Sequence, residues 1–251
     1  MTSPRPLVFA HRGGSKIGPE NTITAFDRGL AGGADGLELD VHLSRDGVVV
    51  VHHDRLLDRT TSATGPLNDR TAAELAKLDV PALRDVLARY PGKKIIVELK
   101  QSSAALARAV VDEIHRAKAV EHVCLGSFSD AAMRAARAYG PDIATSTGRL
   151  GVRFALYRSW CYLSPGHVLY QALQVPEMSG PTRVVSPRFV KMAHKAGVVV
   201  QVWTVDEAED IRRLLDWGVD GIISDRPDVA SRVLKDWLDR RSSIVDRPHQ
   251  R

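Results

Sequence analysis

The chain has 251 residues, of which 44% are hydrophobic and 26% are charged. This composition is typical of a globular protein and excludes a disordered chain. No run of about eighteen apolar residues is present and no signal-peptide pattern precedes the first apolar strand, so neither a membrane-spanning helix nor secretion is predicted. The two cysteines, Cys124 and Cys161, have no metal-binding or redox spacing. We therefore expect a reducing, cytoplasmic setting.

The net charge of +5 favours anionic partners, such as phosphates or an acidic membrane surface. The basic residues are scattered and are accompanied by neither an aromatic ladder nor zinc-finger spacing, so no nucleic acid partner is expected. Part of the positive excess lies in the polar C-terminal residues 241–251. We expect these residues to form a disordered tail behind a single domain that covers residues 1–240.

Short apolar runs alternate with helical periodicity along the chain. The runs that predict strands are residues 7–10, 37–43, 48–51, 94–99, 123–126, 143–146, 168–173, 198–204 and 221–224. Helices are predicted between them, among them one that begins at Asn21 or Thr22, one over residues 152–162, and one opened by a capping box of Asp206 and Glu209.

Strict alternation of strands and helices implies a parallel sheet covered by helices. About eight such units in about 250 residues predict an α/β fold, a (β/α)8 TIM barrel that forms a single domain. A doubly wound open sheet is the main alternative. The turn after the first strand, His11-Arg12-Gly13-Gly14, lacks the glycine spacing of a dinucleotide-binding loop, which favours the barrel.

Acidic residues stand where a buried parallel strand should carry none. In the strand over residues 37–43, Glu38 and Asp40 share one face because side chains alternate with a period of two. Two carboxylates on a buried face repel each other unless a cation is present. Glu98, at the end of another strand, adds a third carboxylate, and no thiolate accompanies the three. The set predicts one divalent cation, Mg²⁺ or Ca²⁺, rather than zinc; the alternative is a group of ion-paired acids.

Histidines and basic residues follow the same strand ends. His11 ends the first strand and His53 follows the third apolar run, so both are candidates for acid/base catalysis, with structural histidines as the alternative. Arg12 and Lys100 are candidate phosphate-binding groups. Trp203 is either a core residue or a wall against the substrate. His42 and His52 are expected to be structural, and Asp54 is a candidate for orienting a neighbour or a loop.

A set of short motifs carries a resemblance to a known family. They are, in chain order, His11-Arg12-Gly13-Gly14, Pro19-Glu20-Asn21-Thr22, Glu38-Leu39-Asp40-Val41, His53-Asp54, Glu98-Leu99-Lys100, Val202-Trp203-Thr204-Val205 and Gly218-Val219-Asp220-Gly221. As an ordered set that reaches to about Leu238, they resemble the glycerophosphodiester phosphodiesterase family. The resemblance implies a (β/α)8 barrel that hydrolyses glycerophosphodiesters to glycerol 3-phosphate and an alcohol.

The resemblance also implies roles for single residues. Glu38, Asp40 and Glu98 match the metal ligands of the family. His11 and His53 match its acid/base pair, and Arg12 and Lys100 match its phosphate contacts. Glu20 matches an acid near the substrate site.

Two segments depart from the family pattern. The insertion after the second strand, residues 55–83, is short, which predicts a more open site. Residues 152–185 are longer and more aromatic than expected. They form either core elements with an ordered loop, or a surface that faces lipid or headgroups and would give peripheral membrane contact. Two alternative functions are a lysophospholipase D-type phosphodiesterase and a phosphodiester-binding barrel without turnover.

Overall fold

A computed structural model describes residues 5–245. The strands are β1 (Leu7–His11), β2 (Gly36–Leu43), β3 (Val49–Val51), β4 (Lys94–Leu99), β5 (Val123–Gly126), β6 (Ala144–Thr145), β7 (Ala172–Pro176), β8 (Met178–Ser179), β9 (Thr182–Arg183), β10 (Val199–Trp203) and β11 (Gly221–Ser224). The helices are α1 (Ile23–Ala31), α2 (Ala72–Ala76), α3 (Leu83–Arg89), α4 (Ala104–Arg116), α5 (Asp130–Tyr139), α6 (Arg149–Trp160), α7 (Pro187–His194), α8 (Ala208–Asp216) and α9 (Pro227–Val245).

Eight of the strands are parallel neighbours in the order β6-β5-β4-β2-β1-β11-β10-β7. The two ends of this order meet just before β7. There the backbone N–H of Gln171 donates to the carbonyl of Thr145 at 2.9 Å, and the N–H of Thr145 donates to Gln171 Oε1 at 2.9 Å. The sheet is therefore a nearly closed eight-stranded barrel with helices outside, which confirms the predicted fold.

The insertion after β2 forms a small subdomain that packs against the barrel. Strand β3 pairs antiparallel with β2 and is not one of the eight barrel strands. The segment that follows it has its own apolar cluster, in which Leu57, Leu67 and Leu75 are buried against Val50 and Val80. Since this cluster is small and includes a residue of β3, the chain forms one domain with a short insertion.

The pleat of the strands divides apolar from polar positions. Leu37, Leu39 and Val41 of β2 belong to the main core. A second cluster joins Phe9, Ile96 and Ile223, from three different barrel strands. Each of these three residues stands two positions before a polar residue at the end of its strand, namely His11, Glu98 and Asp225. The same strand faces thus carry apolar residues first and functional groups at the C-terminal ends.

Two local predictions are wrong. The strand predicted at residues 168–173 is β7, which begins at Ala172, because pairing with β10 runs from Ala172 to Pro176. The capping box predicted from Asp206 does not form. Asp206 Oδ1 instead accepts hydrogen bonds from Ser224 Oγ and the N–H of Asp225, both at 2.8 Å, and Glu207 occupies the N-cap position of α8 without a side-chain hydrogen bond.

The remaining boundaries are close to those predicted. Thr22 is the N-cap of α1, and its hydroxyl accepts from the N–H of Ala25. The helix predicted over residues 152–162 is α6. Helix α9 continues to Val245 and so includes the first five residues of the predicted tail, and residues 246–251 of that tail lie outside the described part of the chain. Within residues 5–245, no helix has the length and apolarity to cross a bilayer.

Candidate active site

Three carboxylates from two neighbouring strands meet at the C-terminal ends of the barrel strands. Parallel pairing of β2 with β4 places Asp40 beside Glu98, and pairing of β1 with β2 places Glu38 beside His11. One ligand oxygen from each of Glu38, Asp40 and Glu98 lies within 4.8 Å of the others. Glu38 and Asp40 are only 4% and 1% exposed. The sequence prediction that these acids cluster is confirmed by the geometry.

The carboxylates are held in an electrostatically unfavourable arrangement. Burial and repulsion from Asp40 raise the pKa of Glu38 and of Glu98 above the ordinary value. Burial would also raise the pKa of Asp40, but the cationic groups of Lys100 and Arg12 outweigh it and lower the pKa. A cation between the three oxygens would relieve the repulsion. The all-oxygen donor set, with oxygens spaced to surround one ion, fits Mg²⁺ or Ca²⁺.

Lys100 and Asn21 hold this cluster from two sides. Lys100 Nζ lies 3.1 Å from Glu98 Oε1 and 3.3 Å from Asp40 Oδ1. Asn21 Nδ2 donates to Asp40 Oδ2 at 2.9 Å. Burial alone would lower the pKa of Lys100, but Asp40 and Glu98 outweigh it and raise the pKa. Lys100 is therefore a fixed positive charge at the edge of the cluster.

His11 is oriented by a residue that directly follows the last barrel strand. Its Nδ1 atom lies 2.6 Å from Oδ1 of Asp225, and its Nε2 atom lies 3.8 Å from Oε2 of Glu38. Burial would lower the pKa of His11, but the Glu38 and Asp225 carboxylates outweigh burial and raise it. Asp225 was not predicted. The sequence feature that could have identified Asp225 is its position as a polar residue directly after β11, at the C-terminal end of a barrel strand.

His53 is held by a chain of charged side chains. Its Nδ1 atom lies 2.5 Å from Asp54 Oδ1, as expected for an orienting acid. Arg59 Nε donates to Asp54 Oδ2 at 2.6 Å and its two terminal nitrogens donate to Glu20 at 2.6 and 2.9 Å. Hydrogen bonding from Arg59 lowers the pKa of Asp54 well below its ordinary value. Arg59 was not predicted, because no periodic pattern marks a residue in the irregular insertion.

Arg12 connects the carboxylate cluster to Glu20. Its backbone N–H donates to Glu38 Oε2 at 3.2 Å, and Nη1 donates to Glu20 Oε1 at 3.2 Å. Its buried Nε lies 3.2 Å from Asp40 Oδ2 but forms no hydrogen bond, so one donor of the guanidinium is unsatisfied. The left-handed backbone of Arg12, with φ +52°, supports this loop. Gly13 follows with φ +86°, and a Cβ there would stand 2.7 Å from Ala25.

The site opens into one cavity of about 670 Å³. Among the predicted site residues, those that line it are His11, Arg12, Glu38, His53, Glu98, Lys100 and Trp203. Asp40 is almost completely buried and Glu20 stands behind Arg12, so neither lines the cavity. Trp203 forms part of the wall and meets Phe128 edge to face, with ring centroids 5.7 Å apart. Trp203 also packs against the cluster of Phe9, Ile96 and Ile223, so both of its predicted roles are compatible with its position.

His42 and His52 make structural contacts. His42 Nε2 lies 3.0 Å from the carbonyl oxygen of His53, and His52 Nε2 lies 3.3 Å from that of Leu56. Burial lowers the pKa of both imidazoles, which favours their neutral forms. Neither residue lines the cavity. The structural roles predicted for them agree with these contacts.

The chain is similar to one sequence family and to named relatives. Residues 11–229 match the sequence model of the glycerophosphoryl diester phosphodiesterase family. A glycerophosphodiester phosphodiesterase from Caldanaerobacter subterraneus subsp. tengcongensis is 33% identical over 250 residues, covering 92% of this chain and 98% of the relative. One from Bacillus altitudinis is 30% identical over 247 residues, covering 90% and 97%.

Solved structures show the same barrel. A glycerophosphodiester phosphodiesterase from Thermotoga maritima superimposes with a TM-score of 0.74 at 25% identity, covering 92% of this chain and 99% of that one. A phosphodiesterase from Oleispira antarctica, solved in complex with its product sn-glycerol-3-phosphate, gives a TM-score of 0.72 at 26% identity, covering 92% and 97%. The match spans nearly the whole chain in sequence and in fold. The chain is thus a phosphodiester hydrolase that belongs to the glycerophosphoryl diester phosphodiesterase family.

Proposed function

We propose that this protein hydrolyses glycerophosphodiesters to glycerol 3-phosphate and an alcohol, and that the reaction requires one divalent cation and two histidines. The observation that carries the proposal is that His11, His53 and the carboxylates Glu38 and Glu98 line the same cavity. The family match supports the reaction, and the Oleispira antarctica relative binds sn-glycerol-3-phosphate as its product.

Glu38, Asp40 and Glu98 would hold the cation. When bound, a divalent cation supplies positive charge beside a non-bridging phosphate oxygen. Arg12 and Lys100 bind and orient the same phosphate. Both line the cavity next to the carboxylates, and both have cationic N–H groups that can donate hydrogen bonds to phosphate oxygens. Trp203 closes the cavity against the bound substrate, and Glu20 keeps Arg12 in place through its hydrogen bond to Nη1.

The two histidines move protons. Each has a carboxylate at Nδ1, Asp225 for His11 and Asp54 for His53, which fixes the ring and leaves Nε2 as the atom that exchanges a proton. One imidazole accepts the proton of the attacking nucleophile, which is water or the substrate's own hydroxyl, and the other donates a proton to the oxygen of the leaving alcohol. Where the substrate's hydroxyl attacks, water then opens the cyclic phosphate. His11 at the end of β1 and His53 in the segment after β3 thus supply an acid and a base to one cavity.

A choline-release assay tests the proposal. The enzyme is incubated with glycerophosphocholine in the presence of Mg²⁺, Ca²⁺ or a chelator, and we expect release only with a metal. Release that thorough chelation leaves undiminished would refute the cation requirement. Binding of glycerophosphocholine without release under any metal would instead identify a phosphodiester-binding barrel without turnover.

A histidine variant tests the acid/base assignment in the same assay. His53→Ala should lose at least about 10²-fold in rate, the usual contribution of a positioned acid or base. His115→Ala is the matched control, because His115 also contacts a carboxylate, Asp142 at 3.0 Å, but lies on the surface and does not line the cavity. A near-wild-type rate for His53→Ala would return His53 to a structural role.

A second candidate function is a lysophospholipase D-type reaction on lipid substrates. Helix α6 favours it, because its side chains Leu156, Tyr157 and Trp160 give one wall of the cavity an apolar and aromatic character. Lysophosphatidylcholine replaces glycerophosphocholine in the assay above, and faster choline release from the lipid would support this second candidate. No release from either substrate would refute both enzymatic functions. The predicted cytoplasmic location stays a prediction.

A further inference from the structure

The segment that contains α6 has an unusual charge pattern. Between Asp142 and Glu177 the chain contains no acidic residue, although it contains 30 in total. The same stretch carries Arg149, Arg153 and Arg158, all on α6. The surface of this segment is therefore positively charged, without the mixture of signs found along the rest of the chain.

The same segment exposes most of the large apolar side chains found on the surface. In the described residues, eleven large hydrophobic side chains are exposed, and seven of them lie between residues 150 and 169. These seven, each between 46% and 70% exposed, are Leu150, Phe154, Tyr157, Trp160, Tyr162, Leu163 and Leu169. We call them, with the three arginines of α6, the α6 patch. Leu150, Phe154 and Tyr157 follow one another at about one helical turn on α6, and a cluster of exposed apolar side chains of this kind marks an interaction site.

The arginines of the α6 patch contact aromatic rings and not carboxylates. The guanidinium of Arg149 lies 5.1 Å from the ring centroid of Phe128, that of Arg153 lies 5.9 Å from Tyr157, and that of Arg158 lies 5.5 Å from Phe154. Among the described residues, none of the three forms an ion pair with an acid. Their charge is thus available to an anionic partner, while the rings below keep the guanidinium groups in place.

We propose that the α6 patch docks on the surface of an anionic lipid bilayer. Aromatic and aliphatic side chains beside arginines match the interfacial region of a membrane, where rings enter the headgroup layer and guanidinium groups bind lipid phosphates. A second copy of this chain is a poorer partner, because pairing two such patches would bring arginines together with no carboxylate between them. Charge complementarity therefore selects the anionic bilayer.

The docked orientation has a consequence for the active site. Arg149, Arg153, Tyr157 and Trp160 follow one another at about one helical turn along α6, and all four also line the cavity. Since Tyr157 and Trp160 are about half exposed as well, they form the rim of the cavity opening. A protein docked through the α6 patch holds this opening at the membrane surface.

Vesicle sedimentation tests the docking without any need for turnover. The full chain is mixed with vesicles of phosphatidylcholine alone or of phosphatidylcholine with phosphatidylglycerol, and the bound fraction is measured at low and high salt. We expect binding to the anionic vesicles that decreases at high salt. No binding to anionic vesicles, or equal binding to both kinds, would overturn the proposal.

A pair of matched double variants separates the α6 patch from net charge. Arg153→Glu with Phe154→Ser alters the patch, while Arg108→Glu with Tyr139→Ser alters another exposed arginine–aromatic contact, 5.6 Å apart, and changes the net charge equally. The patch variant should bind anionic vesicles at least about tenfold more weakly, and the control should bind like the wild type. Thermal melts establish that both variants fold.

Two results from these variants would contradict the docking. Equal loss of binding in both double variants would indicate a net-charge effect that does not depend on the patch. A dimer in sedimentation equilibrium that the patch variant dissociates, together with no vesicle binding, would identify a second copy of the chain as the partner.

Discussion

His11 of β1 and Asp225, which directly follows β11, are joined by a 2.6 Å contact between Nδ1 and Oδ1. The two strands are neighbours in the sheet, with Ala10 paired to Ser224, so the contact extends the strand pairing by one residue. It leaves the His11 Nε2 atom on the side of Glu38, 3.8 Å from its Oε2. Asp225 is therefore a positioning residue that fixes which nitrogen of His11 faces the cluster.

Asp225→Asn should lower the rate of glycerophosphodiester hydrolysis by about tenfold or more, because an amide can stabilise the wrong tautomer of His11. Burial would raise the pKa of Asp225, but hydrogen bonds from His11 and Ser15 outweigh it and lower the pKa, so the variant should also lose some stability; a thermal melt establishes that it still folds. Asp142→Asn is the control, because Asp142 makes a similar contact with His115 on the surface, at 3.0 Å. Equal rates for the two variants would show that Asp225 does not position His11.

Glu38→Gln should stabilise the metal-free protein while removing its response to metal. Burial and repulsion from Asp40 disfavour the Glu38 carboxylate, and an amide of the same shape carries neither cost. We expect a gain in the free energy of unfolding of about 1 kcal/mol, or roughly 2–4 °C in Tm for a chain of this size. Added Mg²⁺ or Ca²⁺ should raise the Tm of the wild type and leave that of the variant unchanged.

Thermal melts of Glu121→Gln provide the control for this pair of measurements. Glu121 is exposed, so the same substitution should change neither the Tm without metal nor the increase with metal. A metal-dependent increase that survives in Glu38→Gln would remove Glu38 from the ligand set. A lower Tm of the metal-free variant would show that the buried carboxylate is stabilising.

The carboxylate cluster could be predicted from sequence because its geometry follows from strand periodicity. Side chains two residues apart share a face in any strand, so the Glu38 and Asp40 side chains lie next to each other on one face of β2. The parallel barrel then brings Glu98 to the same edge, since strand ends of one kind meet at one end of a barrel. These positions depend on local alternation and on the fold class, and both are visible in the sequence.

The supporting contacts could not be predicted because they depend on the tertiary arrangement. Arg59 reaches Glu20 across 39 positions of sequence from an irregular segment that has no repeat to indicate its direction. Asp206 has the sequence spacing of a helix cap, yet its carboxylate instead accepts hydrogen bonds from Ser224 at the end of β11 and from the N–H of Asp225 that follows. In both cases a neighbouring element of the fold determines which partner a charged side chain takes.

Arg59→Ala should reduce activity and make the free energy of unfolding decline less steeply as the pH falls. The guanidinium lowers the pKa of Asp54; for Glu20, burial raises the pKa, but Arg59 and Arg12 outweigh it and lower it. Lowered carboxyl pKa values stabilise the fold above the ordinary values of 3.8 and 4.5, and this stability is lost as the pH falls through the folded-state values. Below about pH 4.5, denaturant melts should therefore show a steeper decline for the wild type than for the variant.

Arg89→Ala separates the two effects of the Arg59 substitution. Arg89 donates two hydrogen bonds to Asp27, at 2.7 and 3.1 Å, and this contact lowers the pKa of Asp27. The Arg89 variant should show a similar flattening of stability in acid but retain wild-type hydrolysis, because Asp27 does not line the cavity. Unchanged hydrolysis in Arg59→Ala would mean that the contacts of Arg59 stabilise the insertion without positioning His53.

The two cysteines should differ in reactivity in the folded protein. Burial raises the pKa of the Cys124 thiol to about 12, whereas Cys161 is exposed after α6. Since the thiolate is the reactive form, Cys124 should react about a thousandfold more slowly than an ordinary thiol at about pH 8. Mass spectrometry after a short exposure to iodoacetamide should find one alkylated site in the native wild type, none in Cys161→Ser, and two in the denatured wild type. Alkylation of native Cys161→Ser at Cys124 would show that the thiol of this half-buried residue is reactive despite its raised pKa.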